Sequence, residues 1–318
     1  MSQPPEIRNI IAAAAIRDRL CVLLTQYRES DPINSRGLVY DAPLDVDGPT
    51  RMLLSTNDSI TNMWASPTGH LWIGSGWGNV WTTAPVHWAP ARSGTLRFKS
   101  ELPDLDWHVT TLPNNAKDRR PNVTSIWGIT DDFVLAADFS GSVYRWSGKT
   151  WIEMVTGVGS ECNEISGDAP NNVYAVTRGG AILHFDGDSW SRVPIGDGEQ
   201  TYPVLTGVRV ARDRRVYVTQ NRGLLFRGDA NRFEPVAETR YGLYGVAIHS
   251  NMVFLCGMPG GGLRFFEGRG VEQLNDEFQA ADVTEIGRHV AFFESDQPER
   301  PSFVQYTPST DEWIRRSF

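Results

Sequence analysis

Helix periodicity is missing from this chain. No stretch of useful length repeats its apolar residues at helical spacing, which excludes all-α and alternating α/β architectures. Cysteine is scarce: Cys21, Cys162 and Cys256 are odd in number, far apart and without a CxxC pair. A disulfide framework or a cysteine zinc site is thereby excluded. Cys21 and Cys256 lie in the apolar runs LCVLL and VFLCG and read as small buried thiols. No run approaches the length of a membrane span. The alanine-rich segment Ile10–Ile16 lacks the basic start of an export signal and reads as the innermost strand of a first β unit. The expectation is a soluble, cytoplasmic protein with no membrane partner.

Catalytic signatures are equally sparse. The six histidines are scattered, with no HxH or HExxH spacing, and there is no Gly-x-Ser-x-Gly elbow and no Walker loop. Gly74–Gly78 and Gly260–Gly262 are glycine-rich, but each is followed by a strand. A phosphate cradle needs a helix N-terminus behind it, so these read as turn glycines. Positive charge is in deficit, 30 Lys and Arg against 38 Asp and Glu, for a net charge of −8. That argues against a general nucleic-acid binder. The one basic run, Arg209–Arg215, reads as a solvated hairpin tip, like the acidic tip Asp131-Asp132 elsewhere. No catalytic residue, metal site or cofactor is expected.

What the chain does have is a repeat. SIWGITDDFVLAADFSGSVYRWSGKTW (Ser125–Trp151) returns as NEISGDAPNNVYAVTRGGAILHFDGDSW (Asn163–Trp190). Gly180, Phe185, Gly187 and Trp190 each follow Gly141, Trp146, Gly148 and Trp151 by 39 residues. Each unit holds four short apolar runs separated by turn residues, the signature of a propeller blade. Seven units fit, at about 6–56, 59–113, 122–157, 162–196, 204–237, 242–275 and 281–318. The fold expected is all-β, a single domain forming one seven-bladed β-propeller of four-stranded antiparallel blades. Neither end shares a blade with the other. The polar, turn-rich Arg28–Arg36 reads as a loop in blade one, and Ala84–Leu105 as an insert in blade two. Asn114–Asn122 reads as the connection to blade three. Gly148, Gly187 and Gly268 fit turns with positive φ. The aromatics that follow the turns, Trp151, Trp190, Phe233 and Trp313, are expected to wedge between blades.

RWSGKTW and HFDGDSW give the chain a resemblance to bacterial BNR/Asp-box and galactose-oxidase-like propellers, where an aromatic–Asp–Gly–x–x–Trp ending recurs. The resemblance covers blades three to six best. The Asp-box itself, Ser-x-Asp-x-Gly-x-x-Trp, is not met, because Asp186 and Gly187 are adjacent. What the resemblance implies is the fold. A sialidase-like centre would need convergence of tyrosines such as Tyr202, Tyr241 and Tyr244 with arginines such as Arg178, Arg222 and Arg240.

The remaining signal is on one face, in loops between second and third strands and between blades. Aromatic and arginine side chains fall there, and these dominate interface hot spots. The expected binding residues are Trp77, Arg178, Tyr202, Arg222 and Tyr241, with Trp88 and Arg97 from the insert. The function expected is a non-catalytic binding protein for a protein partner, in the manner of an adaptor or an immunity-type neutraliser. A carbohydrate-binding or glycoside-cleaving propeller is the alternative. Oligomeric state is not readable.

Overall fold

The computed structural model describes residues 6–28, 30–45, 48–85, 106–114, 119–196, 204–295 and 301–318, with only the backbone for residues 32–34. Twenty-eight strands form seven four-stranded antiparallel sheets, each a meander in chain order. Blade one is Glu6–Ile16, Arg19–Arg28, Asp31–Pro43 and Arg51–Thr56. Blade two is Ile60–Ala65, Leu71–Ser75, Asn79–Thr82 and His108–Thr111. Blade three is Val123–Thr130, Phe133–Asp138, Val143–Trp146 and Trp151–Met154. Blade four is Cys162–Ala169, Asn172–Thr177, Ile182–Phe185 and Trp190–Val193. Blade five is Leu205–Val210, Val216–Gln220, Leu224–Gly228 and Phe233–Glu238. Blade six is Gly242–His249, Met252–Met258, Gly261–Phe266 and Gly270–Asn275. Blade seven is Ala280–Ile286, His289–Glu294, Ser302–Thr307 and Glu312–Ser317. This is the seven-bladed propeller read from the repeat.

The core is divided into seven apolar clusters, each filling the seam between two neighbouring blades. A blade sandwiched this way is apolar on both faces, which is why its strands read as short apolar runs rather than as alternation. Trp107, Trp151, Trp190, Phe233 and Trp313, at or near the start of their outermost strands, all pack toward the preceding blade. Trp107 is a fifth member of the aromatic set, and its indole N–H donates to Leu53 O across the seam at 3.0 Å. Gly148, Gly187 and Gly268 have φ of 84°, 105° and 75°, as their turns require.

Every innermost strand carries a β-bulge, near its start in every blade but the first. Ile11, Thr61, Thr124, Asn163, Thr206, Tyr244 and Ala281 are the residues skipped in the ladder. The extra residue turns its side chain along the ring. Thr61 donates to Val123 O (2.6 Å), Asn163 to Leu205 O (2.6 Å) and Thr206 to Leu243 O (2.8 Å), and Thr124 bonds Cys162 O in the same way. The next residue accepts from the following blade. Ile126 N–H bonds Asn62 at 3.1 Å, Ile165 N–H bonds Ser125 at 3.1 Å and Val208 N–H bonds Glu164 at 2.7 Å. Side chains on innermost strands thus stitch blade to blade around the axis.

No blade is shared by the two ends of the described chain. Blades seven and one meet through side chains instead. Buried Arg316 donates to Leu44 O and Pro43 O, both at 2.8 Å. Buried His289 bonds Thr307 and Asp45, each at 2.8 Å.

Two expectations from the sequence are corrected. Arg28–Arg36 is not a loop: the third strand of blade one begins at Asp31, and Arg28 already pairs with it. The ladder with the long second strand spans the turn-rich residues through a wide bulge, with Arg28 opposite Asp31 and Gln26 opposite Arg36. Asp131 is not a free tip either. It ties blade three to blade two, accepting from His70 Nδ1 (2.7 Å), Trp72 Nε1 (2.8 Å) and Thr68. Burial opposes its charge, but these bonds outweigh burial and hold its pKa below the ordinary value. A carboxylate depressed in this way stabilises the fold above its unfolded pKa of about 3.9, and the contribution is lost as pH falls through the folded value. Acid unfolding followed by circular dichroism should therefore be shallower below about pH 4 in Asp131→Asn than in the parent.

Candidate interaction face

Loops between second and third strands and between blades emerge on one face of the ring. Trp77 is presented there by a tight turn whose geometry is fixed from below. Ser75 Oγ accepts from the N–H groups of Trp77 (3.2 Å) and Asn79 (3.1 Å), and Gly76 N–H bonds Ser59 O at 2.7 Å. Beneath it the buried Asp58 carboxylate accepts from Asn79 Nδ2 (2.7 Å) and Trp81 Nε1 (3.1 Å). The indole itself is 50% exposed, on a rigid mount. Phe139 and Val155 are also exposed and belong to the same face in blade three and the loop after it.

Blade one rises above its neighbours at this point. Its innermost strand runs five residues, Glu6–Ile10, before the bulge residue, where the other blades have one or two. The extra residues pair onward, Glu6 with Arg28 and Arg28 with Asp31. At about 3.3 Å per residue the sheet stands roughly 13 Å above the ring. Pairing between the third strand and the outermost strand starts only at Gly37, opposite Thr56. Within residues 31–36 only Asp31 and Arg36 pair with the second strand, opposite Arg28 and Gln26, and none pairs with the outermost strand, so among the described residues this stretch is a wide bulge with an open outer side.

This raised sheet and the Trp77 turn enclose a concavity of about 720 Å³, lined by Tyr27, Arg28, Arg36, Asn57 and Trp77 among others. A second hollow continues from it, sharing Arg36, Asn57 and Trp77 and adding Asp58 and Arg120. Arg36 and Arg120 are exposed, and neither is held by a carboxylate among the described residues. Arg28, Arg36 and Arg120 line the two hollows together with Glu6, Asp31 and Asp58, so this is a charge-balanced hollow with an aromatic anchor.

The other expected binding residues are not gathered here. Arg178, 63% exposed at its side chain, pairs with Glu161 at 3.2 Å in blade four. Arg222 is exposed in blade five, its own N–H bonded to Gln220. Tyr241 is half-buried at the junction of blades five and six, its hydroxyl bonded to Arg240 (2.6 Å) and Gln273 (3.3 Å). All three share the face with Trp77 but sit further round the ring. Tyr202, Trp88 and Arg97 lie outside the described residues, as does most of the Ala84–Leu105 insert. Arg36, Arg120 and Tyr27 were not anticipated. The signal that would have found them is the length of the first two apolar runs, which exceeds that of the corresponding runs in other blades.

The basic run Arg209–Arg215 also divides. Arg214 and Arg215 are at a hairpin tip and pair with Asp168 (3.6 Å) and Asp213 (3.4 Å). Arg209 points instead into the centre of the ring, where it pairs with Glu164. All three cysteines are free and buried, and burial pushes the Cys21 thiol up to about 12. His184 lies against Tyr174 and bonds Asn172 at 3.1 Å, a structural setting. Among the described residues no group of three or more His, Cys, Asp or Glu is arranged to hold a metal ion, and no helix is long and apolar enough to cross a membrane.

The sequence matches no protein-family model and no curated protein. Solved structures do match. The chain is similar to the computationally designed protein Ika8, at 12% identity and TM-score 0.62, covering 98% of this chain and 86% of that one. It is similar to the C-terminal WD40 domain of Sif2, at 11% identity and TM-score 0.61, covering 97% and 84%. It is similar also to YCF48 from Cyanidioschyzon merolae, at 13% identity and TM-score 0.57, covering 81% and 85%. At such identities the likeness is one of fold. No family model supports a specific tie to BNR or galactose-oxidase-like repeats, so that resemblance reduces to the propeller architecture.

Proposed function

We propose that this protein is a binding scaffold that grips an extended segment of a protein partner against the raised sheet of blade one. The observation that carries the reading is the juxtaposition of Trp77, half exposed on a fixed turn, with unpaired Arg36 and Arg120 and an open strand edge. An open edge offers backbone hydrogen bonds to an incoming strand. The indole supplies buried area with few lost rotamers, and the arginines supply donors for carboxylates. Such a grip suits an adaptor or a neutralising cap for an effector, and the partner's identity decides between them.

The test is capture of the partner followed by calorimetry with single variants. Trp77→Ala and Arg36→Ala should each cost at least about 2 kcal/mol of binding, roughly thirtyfold, with melting temperature nearly unchanged. Arg222→Ala, on the far side of the ring face, should cost much less. If Trp77→Ala and Arg36→Ala both bind within about threefold of the parent, the reading is wrong. A glycan that competes for Trp77 would replace the protein ligand with a carbohydrate.

A further inference from the structure

The seven innermost strands enclose a channel on the ring axis, a cavity of about 630 Å³. Counting from the bulge residue brings equivalent positions of the strands into register. The second residue after each bulge, from Ala13 through Met63 and Ile126 to Val283, is buried in a seam. Most of the first residues and all of the third line the channel, and here the seven strands differ. At the third position, blades two and three carry Trp64 and Trp127, blade five carries Arg209, and the other four have Ala14, Ser166, Ala247 and Thr284. Both indoles are half-buried, their ring ends packed on Gly128 and Gly167 of the next blade, and neither indole N–H has an acceptor among the described residues.

At the first position stand Glu164 in blade four and Asp282 in blade seven, with glycine at the two positions between, Gly207 and Gly245. Those glycines are required by close approach. A Cβ on Gly245 would lie 2.5 Å from Asp282 Oδ1, and one on Gly207 would lie 3.2 Å from Glu164 Oε2 and 3.3 Å from Gly245 Cα. The two carboxylates thus lean toward each other over bare backbone. Glu164 is fully engaged, by Val208 N–H and by Arg209. Asp282 accepts one bond, from Val283 N–H at 2.7 Å, and its second oxygen has no partner among the described residues. Enclosure by protein raises its pKa to about 7, Glu164 adds to the rise, and Arg209 offsets part of it. The remaining charges on the wall are Glu285, which bonds His249 at 3.0 Å, and Arg17. Carboxylates outnumber cations by one.

We propose that this channel binds an organic cation, a primary ammonium or a guanidinium, held by Asp282 and packed against the indoles of Trp64 and Trp127. A carboxylate with one oxygen unbonded and aromatic surfaces on the same cavity favour this chemistry together. An anion would meet Glu164 and Asp282. A metal ion would find one free carboxylate where it needs several ligands. The cation comes either from a free amine or from a lysine or arginine of a partner chain. The site is separate from the Trp77 face, and neither reading depends on the other.

The experiment is isothermal titration calorimetry of the full chain at pH 8 and pH 6 with three probes. These are agmatine, an acetylated and amidated glycine–serine pentapeptide with one central arginine, and the same peptide with citrulline in its place. Agmatine or the arginine peptide should bind at pH 8, about tenfold more weakly at pH 6, and with proton release near pH 7, since the cation displaces the Asp282 proton. Binding by agmatine alone identifies a free amine as the ligand, and binding by the arginine peptide identifies a partner's side chain. Asp282→Asn should weaken either by at least about tenfold while melting no lower than the parent, which separates lost binding from lost folding. No binding by either cation, equal binding by Asp282→Asn, or equal binding by the citrulline peptide overturns the proposal.

Discussion

Replacing Trp151 by alanine is expected to destabilise the protein by about 3–5 kcal/mol, the usual cost of emptying a large buried aromatic site. Trp151 is 4% exposed and forms a trio with Trp72 and Trp146 between blades two and three, ring centroids 5.5–6.4 Å apart. Its neighbours stand on two separate sheets, and sheets held by their own ladders cannot close a void between them. Trp190 sits against Phe185 in the next seam at 5.2 Å and should behave alike. The indole N–H groups of Trp151 and Trp190 have no acceptor. Phenylalanine at either site would fill most of the volume and remove an unsatisfied donor, so it should cost less than about 1.5 kcal/mol. Urea unfolding of the four variants measures this. Equal losses for Ala and Phe would show that the seam recognises the indole and not its volume.

Arg209→Met should destabilise by about 3 kcal/mol at pH 8, because it strips the cation from a wall that keeps both carboxylates. Arg209 donates to Val208 O at 2.8 Å and to Glu164, and it offsets the repulsion between Glu164 and Asp282. Without it the Asp282 carboxyl binds its proton at higher pH. An acid whose folded pKa lies above its unfolded value loses stability as pH rises from the unfolded to the folded pKa. The variant should therefore recover much of its deficit at pH 5. Adding Glu164→Gln should bring it to within about 1 kcal/mol of the parent at pH 8, since the double variant no longer holds the uncompensated charge. Denaturant titrations at both pH values give the comparison. A deficit that is the same at pH 5 and pH 8 would mean that Arg209 acts through packing alone.

The blades were legible because each repeats the same physical demand. A four-stranded sheet packed on both faces needs short apolar runs, a positive-φ turn such as Gly148 or Gly187, and an aromatic to fill the widening seam. Those residues recur at fixed spacing, and blades three to five can be read directly. Blade one was harder, since RESDPINSR carries turn residues that read as a loop. Pairing of Asp31 and Arg36 with the long second strand closes that stretch into a wide bulge. The loops of the expected face are present, but ring geometry distributes them over seven blades. Trp77 therefore meets Arg36 of blade one, while Arg178, Arg222 and Tyr241 lie elsewhere. Arg209 was assigned to a hairpin tip because it belongs to an arginine-rich run. Its direction is set by the bulge, and bulges leave no local mark that reading one strand at a time would detect.

Hydrogen exchange with and without the captured partner tests the central claim most directly. If the raised sheet and the Trp77 turn form the grip, protection on binding should concentrate in residues 31–36 and 75–79, the backbone of the open edge gaining partners it now lacks. Protection confined to the opposite face, at the hairpin tips around residues 66–70 and 211–215, would contradict the account.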